Sequence, residues 1–260
     1  MSDDLVFRER RDAALVLTLN RPEKLNALST PLLDELDGAL DDAEGDDDVR
    51  VLVLTGAGAK AFVAGADIEE YSRLDQQGFD AYQARSRRLF TRIDAFPKPV
   101  IGAINGYALG GGFEIALCCD LLVASATARF GLPEGLLGLC PGGGGTQRLT
   151  RAVGPFVAAD ILLSARRLDA DEAHRIGLVA EVVAPESLLD RVLGKAEAMT
   201  RLAPLAGRAM ADLVRAAGDL ALEDGLDLEQ RTLSSLRETA DAEEGIAAFV
   251  EKREPRFRGR

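Results

Sequence analysis

The chain has 260 residues, of which 47% are hydrophobic and 28% charged, enough to bury a core and form one or two domains. Its 43 acidic and 31 basic residues give a net charge of −12, which argues against nucleic acid or an anionic membrane surface as a partner. His174 is the only histidine and is expected to be structural or exposed, so a cluster of histidine metal ligands is excluded. No metal site is predicted, and carboxylates are the expected acid–base groups of any enzyme activity.

Three features of the sequence indicate a cytoplasmic location: the N-terminus, the most apolar segment and the cysteines. Residues 1–11 are charged where a signal peptide needs an apolar stretch. The most apolar segment, residues 108–126, contains two acidic residues and three consecutive glycines, which is typical of a core rather than a membrane span. Cys118 and Cys119 are expected in a core helix and Cys140 beside a site, and the three form no disulfide framework. We therefore predict a cytoplasmic protein with no membrane partner.

Short β-branched or apolar runs alternate with helical patterns through the first three quarters of the chain, which predicts an α/β fold. The predicted strands are residues 13–19, 49–55, 100–104, 121–124 and 178–183. Between them, one helix is expected to begin at Pro31 and another to end at Pro97. Beyond residue 184 only helices are predicted, at residues 188–202, 204–217, 220–238 and 243–252.

A boundary near residue 200 is expected between an α/β core, residues 1–200, and a helical region, residues 201–260. The last helices carry apolar faces, for example Leu222, Leu226, Leu233 and Leu236. A short helical region has little core of its own, so these faces must pack on the main domain or on another subunit. We favour contact between subunits, with packing inside one chain as the alternative.

A turn of small residues at 62–68 is the first candidate site. Small side chains let a ligand approach the backbone, and Asp67 can begin a helix whose first N–H groups lack partners. A strand-to-helix turn with no ligand is the alternative. Residues 56–61 match a loose dinucleotide-binding pattern, but residues 62–65 interrupt the helix that such a site requires.

The second candidate is the glycine run 110–112, which follows the predicted strand 100–104 and precedes an apolar helix. Glycines at a strand-to-helix junction expose backbone N–H groups at a helix N-terminus, which favours a developing oxyanion. Glu114 falls in the first turn of that helix. Capping is its alternative role, but an idle carboxylate is costly in the most apolar part of the chain.

Glu134 is the third candidate, again a single acid among apolar residues and followed by a glycine-rich loop. That loop is not a phosphate-binding P-loop, because Gln147 and Arg148 stand where Lys and Ser/Thr are required. Two isolated glutamates near exposed backbone N–H groups suit acid–base chemistry on a carbonyl substrate.

Six segments carry a resemblance to a known family. They are residues 20–28 (NRPEKLNAL), 64–68 (AGADI), 105–114 (NGYALGGGFE), 133–134 (PE), 141–149 (PGGGGTQRL) and 249–253 (FVEKR). In these segments the chain resembles the crotonase superfamily and, within it, the enoyl-CoA hydratases. The segments occur in the family's order and run nearly from end to end.

The resemblance implies a crotonase-like α/β spiral of ββα units, followed by a C-terminal helical region that mediates trimer contacts, usually within a dimer of trimers. It also implies an acyl-CoA thioester substrate, with coenzyme A as part of the substrate and no separate cofactor. The thioester carbonyl oxygen would accept hydrogen bonds from the backbone N–H groups of Ala66 and Gly111.

The remaining substrate contacts are implied by the same resemblance. Lys24, Leu25 and Ala27 would line the adenine end of the CoA site. Phe249 and Lys252 would reach the CoA of a neighbouring subunit. Further substrate contacts would be Ala64, Asp67, Ile68 and Gly142.

Glu114 and Glu134 are 20 positions apart, and hydratases resemble this sequence in having both, whereas many isomerases keep one or place it elsewhere. The resemblance therefore implies reversible syn addition of water to a trans-2-enoyl-CoA, giving a 3-hydroxyacyl-CoA, in fatty-acid or related acyl-CoA degradation. Glu114 would deprotonate the water that attacks C3, and Glu134 would deliver a proton to C2.

Two alternatives stay open. One is another crotonase reaction, such as enoyl-CoA isomerisation or hydration of a cyclic or dienoyl thioester. The other is a non-catalytic acyl-CoA-binding protein, which has no need of both glutamates and is disfavoured for that reason. Cys140, where a bulkier residue is common in the family, leaves the acyl-chain preference open.

Overall fold

The computed structural model describes residues 4–260, so the first three residues of the charged N-terminus lie outside it. Ten β-strands and eleven α-helices are present in this range. The strands are β1 (Val6–Arg11), β2 (Ala14–Leu19), β3 (Val51–Gly56), β4 (Ala61–Ala64), β5 (Val100–Ile104), β6 (Tyr107–Leu109), β7 (Leu121–Ser125), β8 (Arg129–Gly131), β9 (Leu168–Asp169) and β10 (Glu181–Val183). The helices are α1 (Thr30–Gly45), α2 (Ile68–Tyr71), α3 (Gln76–Asp94), α4 (Gly111–Ala116), α5 (Gly145–Val153), α6 (Pro155–Ser164), α7 (Ala170–Arg175), α8 (Leu188–Thr200), α9 (Pro204–Ala216), α10 (Leu222–Arg237) and α11 (Ala240–Glu251).

Two sheets form the framework. The larger has six strands in the order β1-β2-β3-β5-β7-β10, and only the pair β1–β2 is antiparallel. The smaller has four strands in the order β4-β6-β8-β9, of which the first three are parallel. Each of the pairs β3–β4, β5–β6 and β7–β8 places its first strand in the larger sheet and its second in the smaller, and a helical segment follows each pair. This repeat is a spiral of ββα units, so the predicted crotonase-like α/β fold is confirmed.

Helices cover the larger sheet on both faces. In α1, Leu32, Leu36 and Leu40 recur at helical spacing and are fully buried in the main core. Burying one such leucine stabilises the fold by about 1.5–3 kcal/mol relative to leaving it exposed. On the opposite face, Leu188 and Val192 of α8 pack on the alternate residues of β2, β3 and β5. Packing on both faces fixes the strand ends from which the candidate site is built.

The sequence predicts most of the longer strands but misses β1, in which only Val6 is buried, so that its charged residues show no apolar alternation. It gives β5 with its observed bounds, and β2, β3 and β7 to within two residues. The predicted strand 178–183 is wrong in its first half, because the N–H groups of Leu178 and Val179 bond to the carbonyl of Ala173 and close the end of α7. The strands β4, β6, β8 and β9 have two to four residues each, too few to display the alternation of a strand.

The helices predicted beyond residue 184 are present. In the single chain, α9 and α10 bury no residue, and α11 buries only Asp241 and Ala248. The exposed apolar side chains of this region include Val214, Leu222, Leu226, Leu233, Ile246, Phe249 and Val250. The division of the chain at residue 200 stays a prediction. Within residues 4–260, none of the helices is both long and apolar enough to cross a bilayer.

Candidate active site

Glu114 lies in the first turn of α4, two residues after the glycine run, and is 4% exposed. Its Oε1 accepts hydrogen bonds from the backbone N–H groups of Gly143 and Gly145, both at 2.8 Å. The pKa of Glu114 is raised, because burial outweighs these two bonds and the guanidinium of Arg148, which act to lower it. Among residues 4–260 no hydrogen bond ends on Oε2, which leaves this oxygen available to a ligand.

Glu134 lies in the short 3₁₀ helix Pro133–Leu137. Its Oε2 is buried and has no hydrogen-bond partner within the described chain. Burial, followed by the charge of Glu114, raises the pKa of Glu134 to about 7. A carboxyl with one oxygen buried and without a donor is more stable in its protonated form. The two glutamates therefore differ as a base and an acid do: Glu114 is bonded to N–H groups, whereas Glu134 retains a proton close to neutral pH.

The backbone N–H groups of Ala66 and Gly111 have no acceptor in the part of the chain that the structure describes. Parallel pairing of β4 with β6 brings the turns that follow these strands side by side. Leu28 donates to the carbonyl of Gly65 and accepts from the N–H of Asp67, both at 2.8 Å, which fixes the backbone on each side of Ala66. Gly111 is the first residue of α4, where N–H groups lack partners within the helix.

A cavity of about 170 Å³ brings these groups together. Its lining includes seven residues predicted from the sequence, namely Ala64, Ala66, Ile68, Gly111, Glu114, Glu134 and Gly142. It also includes Tyr71, Tyr82, Gln83, Ser86 and Phe90, which the sequence analysis does not assign to a site. The apolar spacing of α3 predicts a core-facing side but does not distinguish residues that pack in the core from those that border a cavity.

Comparison with known proteins identifies the family. The family model described as enoyl-CoA hydratase/isomerase matches residues 9–260. The chain belongs to the enoyl-CoA hydratase/isomerase family. A probable enoyl-CoA hydratase of Rhizobium meliloti (strain 1021) is 45% identical to it over 260 residues, 100% of both chains. A crotonyl-CoA hydratase of Syntrophomonas wolfei is 41% identical over 99% of both chains. The crystal structure of an enoyl-CoA hydratase from Bacillus anthracis matches with a TM-score of 0.95 and 36% identity, covering 99% of this chain and 100% of that one.

In this member of the enoyl-CoA hydratase/isomerase family, three of the predicted CoA contacts lie on the loop that precedes α1 and outside the cavity. Lys24 pairs with Glu69 at 3.0 Å on the surface. The carbonyl of Leu25 accepts from the N–H of Ala64 at 3.0 Å, so this loop, with Ala27, runs along the segment that holds Ala66. Their contact with CoA stays a prediction.

Asp67 also lies outside the cavity and has structural partners. It is the N-cap of α2, where Oδ1 accepts from the N–H groups of Glu69 and Glu70. Its Oδ2 is 2.9 Å from Nη2 of Arg21, and these two side chains are 12% and 16% exposed. Arg21 also donates to the carbonyl of Ala27 at 2.7 Å, which joins the loop before α1 to the turn that carries Ala66.

The predicted contact between subunits involves the end of α11. Phe249 is 85% exposed, and Lys252 caps the helix in a left-handed conformation with φ of 58°. Neither residue lines the cavity of its own chain. Their role toward the CoA of a neighbouring subunit stays a prediction.

The cysteines and the histidine fall largely where they are expected. Cys118 is buried, but the helix predicted around Cys118 and Cys119 ends at Ala116, so both follow α4 rather than lie within it. Cys140 is exposed at the cavity wall. His174 is exposed on α7, with Nδ1 2.8 Å from the carbonyl oxygen of Val179.

The donors to Glu114 are functional groups that were not predicted from the sequence. There, the glycine run before α5 is interpreted only as a loop, and Arg148 only excludes a P-loop. The signal was present, because successive glycine N–H groups at a helix start form a binding site for an anion. In this fold the anion is a side chain of the protein itself.

Proposed function

We propose that this protein is an enoyl-CoA hydratase, which adds water reversibly and with syn stereochemistry to a trans-2-enoyl-CoA and yields a 3-hydroxyacyl-CoA. The observation that carries the proposal is the unlike pair of carboxyls in one cavity, Glu114 bonded to two N–H groups and Glu134, whose Oε2 is buried without a partner. Such a pair suits a reaction that removes one proton and delivers another. The relatives named as hydratases support the same reaction.

The N–H groups of Ala66 and Gly111 bind the thioester carbonyl oxygen in this proposal. When water adds to C3, the electron pair of the double bond moves toward the carbonyl, and enolate-like charge develops on its oxygen. Two fixed donors stabilise that charge more strongly in the transition state than in the substrate. Loss of one such donor typically costs on the order of 100–1,000-fold in rate.

Glu114 acts as the base toward water. Its Oε1 is bonded to Gly143 and Gly145, so Oε2 is the oxygen that accepts the proton. The O–H bond of water breaks as its oxygen bonds to C3. The two N–H donors and the charge of Arg148 favour the ionised form of Glu114 that this step requires, and they oppose the burial that raises its pKa.

Glu134 delivers the proton to C2. Its O–H bond breaks and a C2–H bond forms from the electron pair of the former double bond. The substrate gains H and OH, and the proton of the pair has moved from Glu134 to Glu114, so the cycle consumes no net proton. We propose that no metal or separate cofactor takes part, with coenzyme A present as the thioester of the substrate.

The finer assignments extend the proposal. We assign Lys24, Leu25 and Ala27 to the adenine end of CoA, with Phe249 and Lys252 contributed by a neighbouring chain.

We propose a homotrimer or a dimer of trimers, supported by the exposed apolar side chains of α9, α10 and α11. We also propose fatty-acid or related acyl-CoA degradation as the pathway and the cytoplasm as the compartment, the latter supported by three free thiols.

A panel of thioesters tests the reaction class. Purified protein is given crotonyl-CoA, a 3-enoyl-CoA and a cyclic enoyl-CoA, and the products are separated by chromatography. We expect crotonyl-CoA to be hydrated with the highest kcat/KM. Isomerisation of the 3-enoyl-CoA at a higher kcat/KM than hydration would overturn the proposal, as would tight thioester binding without turnover.

A further inference from the structure

We infer that Arg148, anchored by Asp94, is a positioning residue for Glu114: it fixes the peptide between Gly143 and Gly144 so that the N–H groups of the glycine loop stay on the carboxylate. The inference deepens the proposed function and rests on it, because it concerns the group assigned as the base.

The guanidinium of Arg148 contacts both the loop and α3. Nη1 donates to the carbonyl oxygen of Gly143 at 2.9 Å, and Nη2 donates to Oδ2 of Asp94 at 3.0 Å. Asp94 is the last residue of α3, and the side chains of Arg148 and Asp94 are 22% and 36% exposed. A Cβ built on Gly144 would lie 2.1 Å from Nη1, so the guanidinium lies directly against the loop backbone.

Because a trans peptide is planar, the bond from Arg148 to the carbonyl of Gly143 also sets the direction of the N–H of Gly144, on the side of Glu114. The carbonyl of Gly143 and the N–H of Gly144 belong to one peptide and point in opposite directions. With the carbonyl bonded to Arg148, the N–H of Gly144 is directed away from the guanidinium, to the side where Gly143 and Gly145 donate to Glu114. The N–H of Gly144, which lowers the pKa of Glu114, thus faces the same side as the two N–H groups that donate to the carboxylate, in the manner of a backbone anion site.

The loop needs such an anchor because it consists of glycines. Residues 142–145 are all glycine, and Gly144 has φ of +109°, in a region that residues with a Cβ rarely adopt. Within residues 4–260, Arg148 is the only donor to the carbonyl of Gly143. Without it, the peptide is free to rotate and to turn its carbonyl oxygen toward Glu114, where two oxygens repel each other.

The positive charge of Arg148 also favours the ionised form of Glu114. The other ionisable groups around Glu114 are Cys118, Tyr71 and Glu134. Burial raises the pKa of Cys118 and of Tyr71 to about 12, so both are neutral at neutral pH. Glu134 retains its proton up to about pH 7. Arg148 is thus the cation that favours the ionised form of Glu114, whereas burial favours the protonated form. Its ion pair with Asp94 partly offsets this effect.

Two variants on α5 separate positioning from general effects on the helix. Arg148→Gln removes the charge and the paired donors, whereas Arg151→Gln changes an arginine of the same helix that pairs with Asp219 at 2.8 Å on the surface and is 52% exposed. For each variant, kcat, KM and the pH profile of kcat/KM are measured with crotonyl-CoA, and folding is checked by thermal unfolding. Arg151→Gln is expected to behave as wild type.

For Arg148→Gln we expect kcat to fall by about 10- to 100-fold, with KM changed by less than about threefold, because positioning of the base acts on the chemical step. The acid limb of the pH profile is expected to move to higher pH, since the base becomes harder to ionise. Arg148→Lys, which restores a charge and one donor, is expected to recover part of kcat. A folded Arg148→Gln variant with kcat and acid limb within about twofold of wild type would overturn the inference.

Two further measurements keep the inference testable if the first variant does not fold or if the reaction is not hydration. Asp94→Asn leaves Arg148 in place but removes its ionic anchor, and we expect a smaller loss of kcat in the same direction. A crystal structure of Arg148→Gln reports the peptide directly, without turnover. An unmoved carbonyl of Gly143, with Glu114 still bonded to both N–H groups, would overturn the inference. Absence of hydration by the wild type would instead contradict the proposed function.

Discussion

Gly110 packs against the carboxyl group of Glu134: a Cβ built on Gly110 would lie 3.0 Å from Oε1. Gly110 has φ of 50° and ψ of −126°, a conformation that a residue with a side chain adopts only under strain. The residue directly before the free N–H of Gly111 is therefore in contact with the proposed proton donor. A side chain at position 110 is therefore expected to displace both the N–H of Gly111 and the carboxyl of Glu134.

Gly110→Ala tests this expectation. Backbone strain is expected to lower the free energy of unfolding by about 1–3 kcal/mol. Displacement of the acid and of the neighbouring N–H is expected to lower kcat on the order of 100-fold. Thermal unfolding and crotonyl-CoA hydration check the two effects. Gly135→Ala is the matched control, because a Cβ there meets no atom within 4 Å. Wild-type kcat in a folded Gly110→Ala variant would show that the contact has no role in the reaction.

The pH dependence of kcat/KM depends on the protonation states of Glu114 and Glu134. The active form carries one proton, on Glu134 for hydration and on Glu114 for dehydration, so both directions share one profile. Burial raises the pKa of Glu134 to about 7, so kcat/KM is expected to fall above that pH in both directions. Rates measured between pH 5 and pH 9 with crotonyl-CoA and with 3-hydroxybutyryl-CoA check this. A profile that stays flat to pH 9 would contradict the raised pKa.

Glu134→Gln is expected to change the pH dependence of stability. The folded protein binds the proton of Glu134 more tightly than the unfolded chain, because the pKa is raised from 4.5 to about 7. The stabilising contribution of this group is therefore complete below pH 4.5 and is lost as the pH rises through about 7. Relative to wild type, the Tm of Glu134→Gln should rise between pH 5 and pH 8. A Tm difference that does not change with pH would contradict the raised pKa of the folded state.

Asp67→Ala distinguishes a structural role from a role in binding substrate. Loss of the N-cap is expected to cost about 1 kcal/mol, and the mostly buried Arg21 loses its partner in addition. Asp75→Ala is the control, since Asp75 caps α3 through the N–H of Gly78 without an ion pair. We expect Asp67→Ala to lower Tm more than the control does and to leave KM for crotonyl-CoA within about threefold. A large rise in KM at unchanged Tm would favour substrate contact.

The sequence predicts the parts of this protein that local pattern determines. The parallel strands of the larger sheet and the helices of the C-terminal region follow from apolar periodicity, and Glu114 and Glu134 are conspicuous as acids in apolar segments. The smaller sheet is not predictable in the same way, because strands such as Tyr107–Leu109 are too short to show a period. The link between Glu114 and the glycine loop joins residues about 30 positions apart and depends on tertiary packing. The carboxylates are visible in the sequence, whereas their different environments require the fold.

The most direct test of the account is the kcat for crotonyl-CoA hydration of Glu114→Gln and Glu134→Gln, measured beside wild type. A positioned acid or base contributes about 100- to 10,000-fold, so each variant is expected to lose at least about 100-fold in kcat while remaining folded. Glu186→Gln is the matched control, because Glu186 also follows a proline in a short 3₁₀ helix but is exposed. Loss of activity in both site variants and not in the control is the predicted result; turnover near the wild-type rate in either site variant would contradict the assigned acid and base.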